Sequence, residues 1–104
     1  MSNVDAAWAA GIYEGEGSLS FNKRTRATYS LRIGMTDLDV LQKFQSIFNV
    51  GTIRAINNPQ DKPHWKQQWE FGVYNQRDIR AVLEAILPYL CTRRAYAVLN
   101  CFDR

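Results

Sequence analysis

A chain of 104 residues, 46% apolar and 22% charged, can bury one compact core and is too short for two, so a single domain over residues 1–104 is expected. No apolar run is long enough to span a membrane and no charged leader precedes a greasy stretch. Two cysteines (Cys91, Cys101) and one histidine (His64) give neither a disulfide framework nor a zinc spacing. The net charge of +3 is unevenly spread: Lys23, Arg24, Arg26 and Arg32 lie between Gly17 and Thr36 with no acid among them, and Lys43 and Arg54 lie likewise between Val40 and Gln60.

Asn3 or Asp5 can cap a first helix that runs to about Glu14. Its end is unusual: Glu14 and Glu16 alternate with Gly15 and Gly17. Ala7, Gly11 and Gly15 recur every fourth residue, so they form one helical stripe without side chains, along which another helix backbone can approach closely. Gly15 and Gly17 are expected to supply the positive φ of a helix C-cap. Carboxylates at that end face the negative pole of the helix dipole, a cost that a hard cation with oxygen ligands would relieve. The alternative is an ordinary glycine-bounded helix end that binds nothing.

From Ser18 the apolar period changes from helical to two. Leu19 and Phe21 alternate with Ser18, Ser20, Asn22 and Arg24; after a polar link at Thr25, Arg26 and Ala27, Leu31, Ile33 and Met35 alternate with Thr28, Ser30, Arg32 and Gly34. This pattern predicts a hairpin with one greasy face and one polar, basic face, and such a two-stranded ribbon fits a duplex groove. Thr36 is placed to cap a second helix, with Asp39 three residues on and Leu41, Phe44, Ile47 and Phe48 inward.

Thr52 to Ile56 reads as a third strand, residues 57–63 as a polar loop with two prolines, and a fourth strand is expected from about His64 to Tyr74. In that strand Trp65, Trp69, Phe71 and Val73 fall on one side, and Lys66, Gln68 and Glu70 on the other. Asn75 caps a third helix with Ile79, Val82, Leu83 and Ile86 inward, stopped by Pro88. Thr92 opens a last helix that carries Arg93 and Arg94 and buries Val98, Leu99 and Phe102. The order is α-β-β-α-β-β-α-α, an α+β chain without internal repeat.

The segment Ala9-Ala10-Gly11-Ile12-Tyr13-Glu14-Gly15-Glu16-Gly17 resembles the nine-residue signature of the LAGLIDADG homing endonucleases. Gly11 and Gly17 match outright, Glu14 and Glu16 occupy the two acidic places, and Ala9 replaces the leading leucine. The resemblance extends to the element order, and it implies a homing-endonuclease-like fold with a curved four-stranded antiparallel DNA-binding sheet. It further implies a homodimer packed along the motif helices through Ala7, Ala10, Gly11, Glu14 and Gly15. Such a dimer would take a palindromic or pseudo-palindromic target and make a metal-dependent double-strand break with 3′ overhangs.

Carried over residue by residue, Glu16 is the metal-binding catalytic acid, helped by the Gly15 carbonyl. Arg93 is the basic residue of the closing helix that faces the cleavage site, and Asp37 orders water or serves only as a first-turn helix acid. Glu14 braces the interface. Mg²⁺ is the implied cofactor, with Mn²⁺ substituting and Ca²⁺ supporting binding without cleavage. For DNA contact the outward residues are Ser20, Asn22, Arg24, Arg26, Thr28, Ser30 and Arg32 of the hairpin, with Arg54, Lys66 and Gln68 from the second strand pair. The implied partners are double-stranded DNA and a second copy of the chain, and no membrane; the implied location is intracellular, in cytoplasm or an organellar matrix. Two other readings stay open: a relative whose task is binding, either an RNA-splicing maturase acting on intron RNA or a cleavage-inactive DNA-binding protein, and an unrelated α+β domain with a chance motif.

Overall fold

A computed structural model describes residues 1–22, 24, 28–56 and 66–102, with the backbone alone described at residue 22. Ser2 starts the first helix: its hydroxyl accepts the Asp5 N–H at 3.0 Å, displacing Asn3 and Asp5 from the capping role the sequence suggests. Helix α1 (Asn3–Glu16) then runs two residues past the expected end, taking Gly15 and Glu16 into its last turn. Strands β1 (Gly17–Asn22) and β2 (Thr28–Met35) form the expected hairpin. Helix α2 (Leu38–Phe48), strands β3 (Thr52–Ala55) and β4 (Trp69–Val73), helix α3 (Gln76–Ile86), a 3₁₀ turn (Leu87–Tyr89) and helix α4 (Thr92–Phe102) follow.

The strands form one antiparallel sheet in the order β1-β2-β4-β3. Alternation decides its faces. Leu31, Ile33, Phe71 and Val73 are buried beneath the helices, each stabilising the fold by about 1.5–3 kcal/mol. The opposite parity of β1 and β2 carries the exposed Ser18, Ser20 and Arg32. Helix α1 closes over the core through Ala6, Ala9, Ala10 and Tyr13, and the three alanines let its backbone lie close to its neighbours.

Several expectations are corrected. Asp37, not Thr36, is the N-cap residue of α2, although its side chain makes no capping hydrogen bond. The fourth strand begins at Trp69, so Lys66 and Gln68 precede it; the chain still pairs there, because the Ile56 N–H donates to the Gln68 carbonyl. His64, Trp65, Arg26, residues 57–63 and the link at Thr25 and Ala27 lie outside the described residues. Leu99 is 45% exposed, so the buried face of α4 runs through Val98 and the partly buried Phe102 without it. Beyond the end of β4, the Gln76 side-chain amide takes the place of a further rung. It accepts the Tyr29 N–H at 2.9 Å and donates to the Tyr29 carbonyl at 2.7 Å.

Candidate active site and nucleic-acid interface

Glu14, Glu16, Arg93 and Arg94 lie around the place where α1 passes into β1. Gly17, the helix C-cap residue, has φ −77° and ψ 155°, extended backbone that any residue can adopt. Neither it nor Gly15 supplies the positive φ that the sequence suggests. What Gly17 provides is space: a Cβ there would stand 2.3 Å from the Tyr13 ring and 2.6 Å from the Tyr13 carbonyl. The chain can therefore turn from helix to strand directly over a buried tyrosine, whose hydroxyl is pushed above its ordinary pKa by burial, with the Arg94 charge opposing.

The two acids of the motif have separate fates. Glu14 turns toward the protein: its Oε1 accepts the Cys91 N–H at 2.6 Å, and its Oε2 lies 3.6 Å from Arg94 Nε. The Cys91 N–H, first among the causes, holds this carboxyl below its usual range; the carboxylate in turn raises the Cys91 thiol. Glu14 thus braces its own chain's α4. Glu16 is exposed, and its carboxylate makes no hydrogen bond or ion pair among the described residues. The carbonyl of Gly15 lies in the last helical turn, beyond the reach of the helix's own N–H groups. Among the described residues no three His, Cys, Asp or Glu side chains converge on one point, so a single chain offers one motif carboxylate, not a nest.

The arginines of α4 are divided in the same way. Arg93 is exposed and lines a cleft of about 320 Å³ together with Tyr13, Gly17, Ser18, Leu19, Arg94 and Ala97, on the side of the α1–β1 junction. Arg94 is drawn inward: Nη1 donates to the Gly17 carbonyl and the guanidinium lies 5.2 Å from the Tyr13 ring centroid. Nothing in the order of residues tells which of two adjacent arginines turns in. Asp37 is exposed at the start of α2, with its carboxylate uncommitted to the cap.

Of the residues expected along a dimer face, Ala7, Gly11 and Gly15 are exposed, and a Cβ on either glycine would meet nothing within 4 Å. With Val4, 78% exposed, they form an open stripe on α1. Ala10 does not belong to it: at 1% exposure it is packed in the chain's own core.

On the outer face of the sheet, Ser18, Arg32, Gly72 and Thr52 stand in one rung across all four strands, and Arg54 pairs with Glu70 in the next. Ser20 and Arg32 are exposed, Thr28 and Ser30 partly so, and Arg24, Lys66 and Gln68 are exposed beyond the strand ends. The face is less purely cationic than the charge pattern suggests. Arg54 is bound to Glu70 at 3.0 Å, and Lys43 stands on α2 with its ammonium 4.3 Å from the Trp8 ring centroid. Tyr74 is a residue that sequence reasoning missed: its ring lies across Gly72, half exposed, with the Arg32 guanidinium 5.9 Å from its centroid. An aromatic at outward parity just past a strand was the available signal.

The fold is shared with solved homing-endonuclease structures, and a curated DNA endonuclease is similar in sequence. The DNA endonuclease I-CvuI of Chlorella vulgaris is 29% identical over 103 residues, which cover 89% of this chain and 59% of that protein. The crystal structure of I-CvuI with the I-CreI target in 2 mM Mg, in which the DNA is not cleaved, matches at 27% identity. Its TM-score is 0.73, over 95% of this chain and 64% of that one. An archaeal intron-encoded homing endonuclease, I-Vdi141I, complexed with DNA, shares the fold at 15% identity and TM-score 0.70, over 97% of this chain and 66% of that one. This chain spans about three fifths of the length of the curated relative it matches. No protein-family model matches it.

Proposed function

We propose that the protein is a site-specific homing endonuclease. As a homodimer it binds a long palindromic or near-palindromic DNA target and hydrolyses one phosphodiester on each strand, leaving 3′ overhangs. The observation that carries the reading is the state of Glu16: an exposed carboxylate without a partner among the described residues, at the end of a helix whose adjoining stripe of Ala7, Gly11 and Gly15 is bare. Two copies packed along that stripe would bring two such carboxylates together, one for each strand.

The donor set fits a hard divalent cation such as Mg²⁺ or Mn²⁺, with the Glu16 carboxylate and the Gly15 carbonyl as oxygen ligands. A bound ion of this kind activates water and offsets the charge that develops on the phosphate. Arg93, which lines the cleft beside Gly17, would stabilise negative charge on the phosphate; it stays protonated and so cannot shuttle a proton. Asp37, whose carboxylate is free of the α2 cap, is available to orient water. The outer rungs around Ser18, Ser20, Ser30 and Arg32 would follow the duplex, with phosphate contacts fixing the register and base-edge contacts supplying the choice of sequence.

The test uses the full chain and a randomised palindromic duplex library. Mg²⁺ should support cutting, Ca²⁺ binding alone, and Glu16→Gln should bind and not cut. Binding without cutting in every divalent ion would favour a maturase or another pure binder. No affinity at low salt would end the nucleic-acid reading.

A further inference from the structure

Arg94 is a strongly committed cation in the protein. It is mostly shielded from solvent, with 17% of its side chain exposed, and its partners lie on the last turn of α1 and at the cap that follows it. Nη1 donates to the Gly17 carbonyl, the ring of Tyr13 lies 5.2 Å beneath the guanidinium, and Nε, buried and without a hydrogen bond, faces Glu14 Oε2 at 3.6 Å. The other oxygen of Glu14 takes the Cys91 N–H at the entry to α4. Glu14 and Gly17 bracket Glu16, and both are tied to α4 across 77 residues of sequence. Among the described residues no side chain holds Glu16, and the glycine before it has open space where a Cβ would stand. Without the tie, the end of a helix with one glycine in its last turn and another as its cap would fray.

We propose that Arg94 is a positioning residue, which fixes the last turn of α1 from both sides and so sets the direction of the Glu16 carboxylate and the Gly15 carbonyl. The inference rests on the assignment of Glu16 as the metal ligand. It separates the two arginines of α4: Arg93 faces outward to the phosphate, whereas Arg94 faces inward to the helix end. A planar guanidinium suits this task, because it can serve a carbonyl and a carboxylate at once while lying flat on a ring.

Arg94→Met and Arg94→Lys in the full chain test it, with hydrogen–deuterium exchange and single-turnover cleavage both measured. In Arg94→Met, exchange over residues 14–18 should rise about tenfold while strands β2 and β4 stay protected. The kcat should fall roughly ten- to a hundredfold with the KM for DNA within about twofold, and the Mg²⁺ concentration for half-maximal rate should rise. Arg94→Lys, which keeps one donor for the Gly17 carbonyl, should lie between. Wild-type exchange at residues 14–18 would overturn the proposal. So would faster exchange with an unchanged kcat, or a raised KM with kcat intact, which would make Arg94 a DNA contact. Should Arg94→Met not fold, the same criteria apply to Arg94→Lys. If the wild-type protein cuts no DNA, the functional reading fails by itself, and the exchange measurement alone still decides whether Arg94 holds the helix end.

Discussion

At the junction of α1 and β1 a single methyl group is too much. Gly17→Ala would place its Cβ against the Tyr13 ring and the Tyr13 carbonyl at 2.3 and 2.6 Å, and the carbonyl cannot move without breaking the helix. Overpacking of this kind costs about 1–3 kcal/mol. A lowered melting temperature is expected, with a larger loss of cleavage than stability alone explains; an unchanged melting curve would show that the turn is looser than these distances imply.

Glu14 adds a pH dependence. Its carboxyl lies below its ordinary range, chiefly through the Cys91 N–H, so its contribution is complete above the unfolded value of about 4.3 and is lost as pH falls through the lower folded value. Glu14→Gln should therefore be less stable than the wild type at neutral pH, and the two melting curves should converge as the pH is taken below about 4. Parallel curves would mean that the charge contributes nothing. Two acids are plain in the sequence, but spacing alone does not sort them. Which one is tied inward depends on where the entry to α4 lies, and that entry is 77 residues away.

Among the elements, those with strong periodicity were the legible ones. The apolar faces of α2 and α3 and the alternation of β2 followed directly from spacing. The reading failed at ends. A capping serine outside the apolar pattern, and a helix that continues through glycines whose φ is ordinary, leave little trace in a single sequence. Ala10 was misplaced for a related reason: on so small a helix, alanines face the core as readily as they face a partner.

The open stripe on α1 permits a test of the dimer. Gly11 has clear space above it in the isolated chain, so Gly11→Leu should not harm the fold of one copy, and Leu is a better helix former than Gly by about 0.5–1 kcal/mol. Between two helices the same side chain would force the backbones apart. Sedimentation should find the wild type dimeric and Gly11→Leu monomeric, with double-strand cleavage abolished. A Gly11→Leu protein that remains dimeric and active would place the interface elsewhere.

Over the whole molecule, the distribution of charge on the sheet governs how DNA would be held. Arg54 is expected from the sequence to reach DNA, yet it is engaged by Glu70, whose side chain is 15% exposed against 65% for the arginine. A surface ion pair of this sort adds little stability, about 0–1 kcal/mol, so its main effect is on the field at the face: it cancels one cation of a sheet whose opposite edge carries none of the acids. Glu70→Gln keeps a carbonyl oxygen for Arg54 to donate to and removes the negative charge. Arg54 is then free to neutralise a phosphate. For each additional phosphate neutralised, the slope of log K against log salt should steepen by about 0.9, and non-specific affinity at low salt should rise with it. The ratio between the preferred target and random duplex should fall, because a phosphate contact carries no sequence information. Filter binding across a range of salt measures all three quantities. A slope identical to that of the wild type would show that DNA does not pass over the β3–β4 side of the sheet, and would confine the interface to the β1–β2 hairpin with Ser20, Ser30 and Arg32.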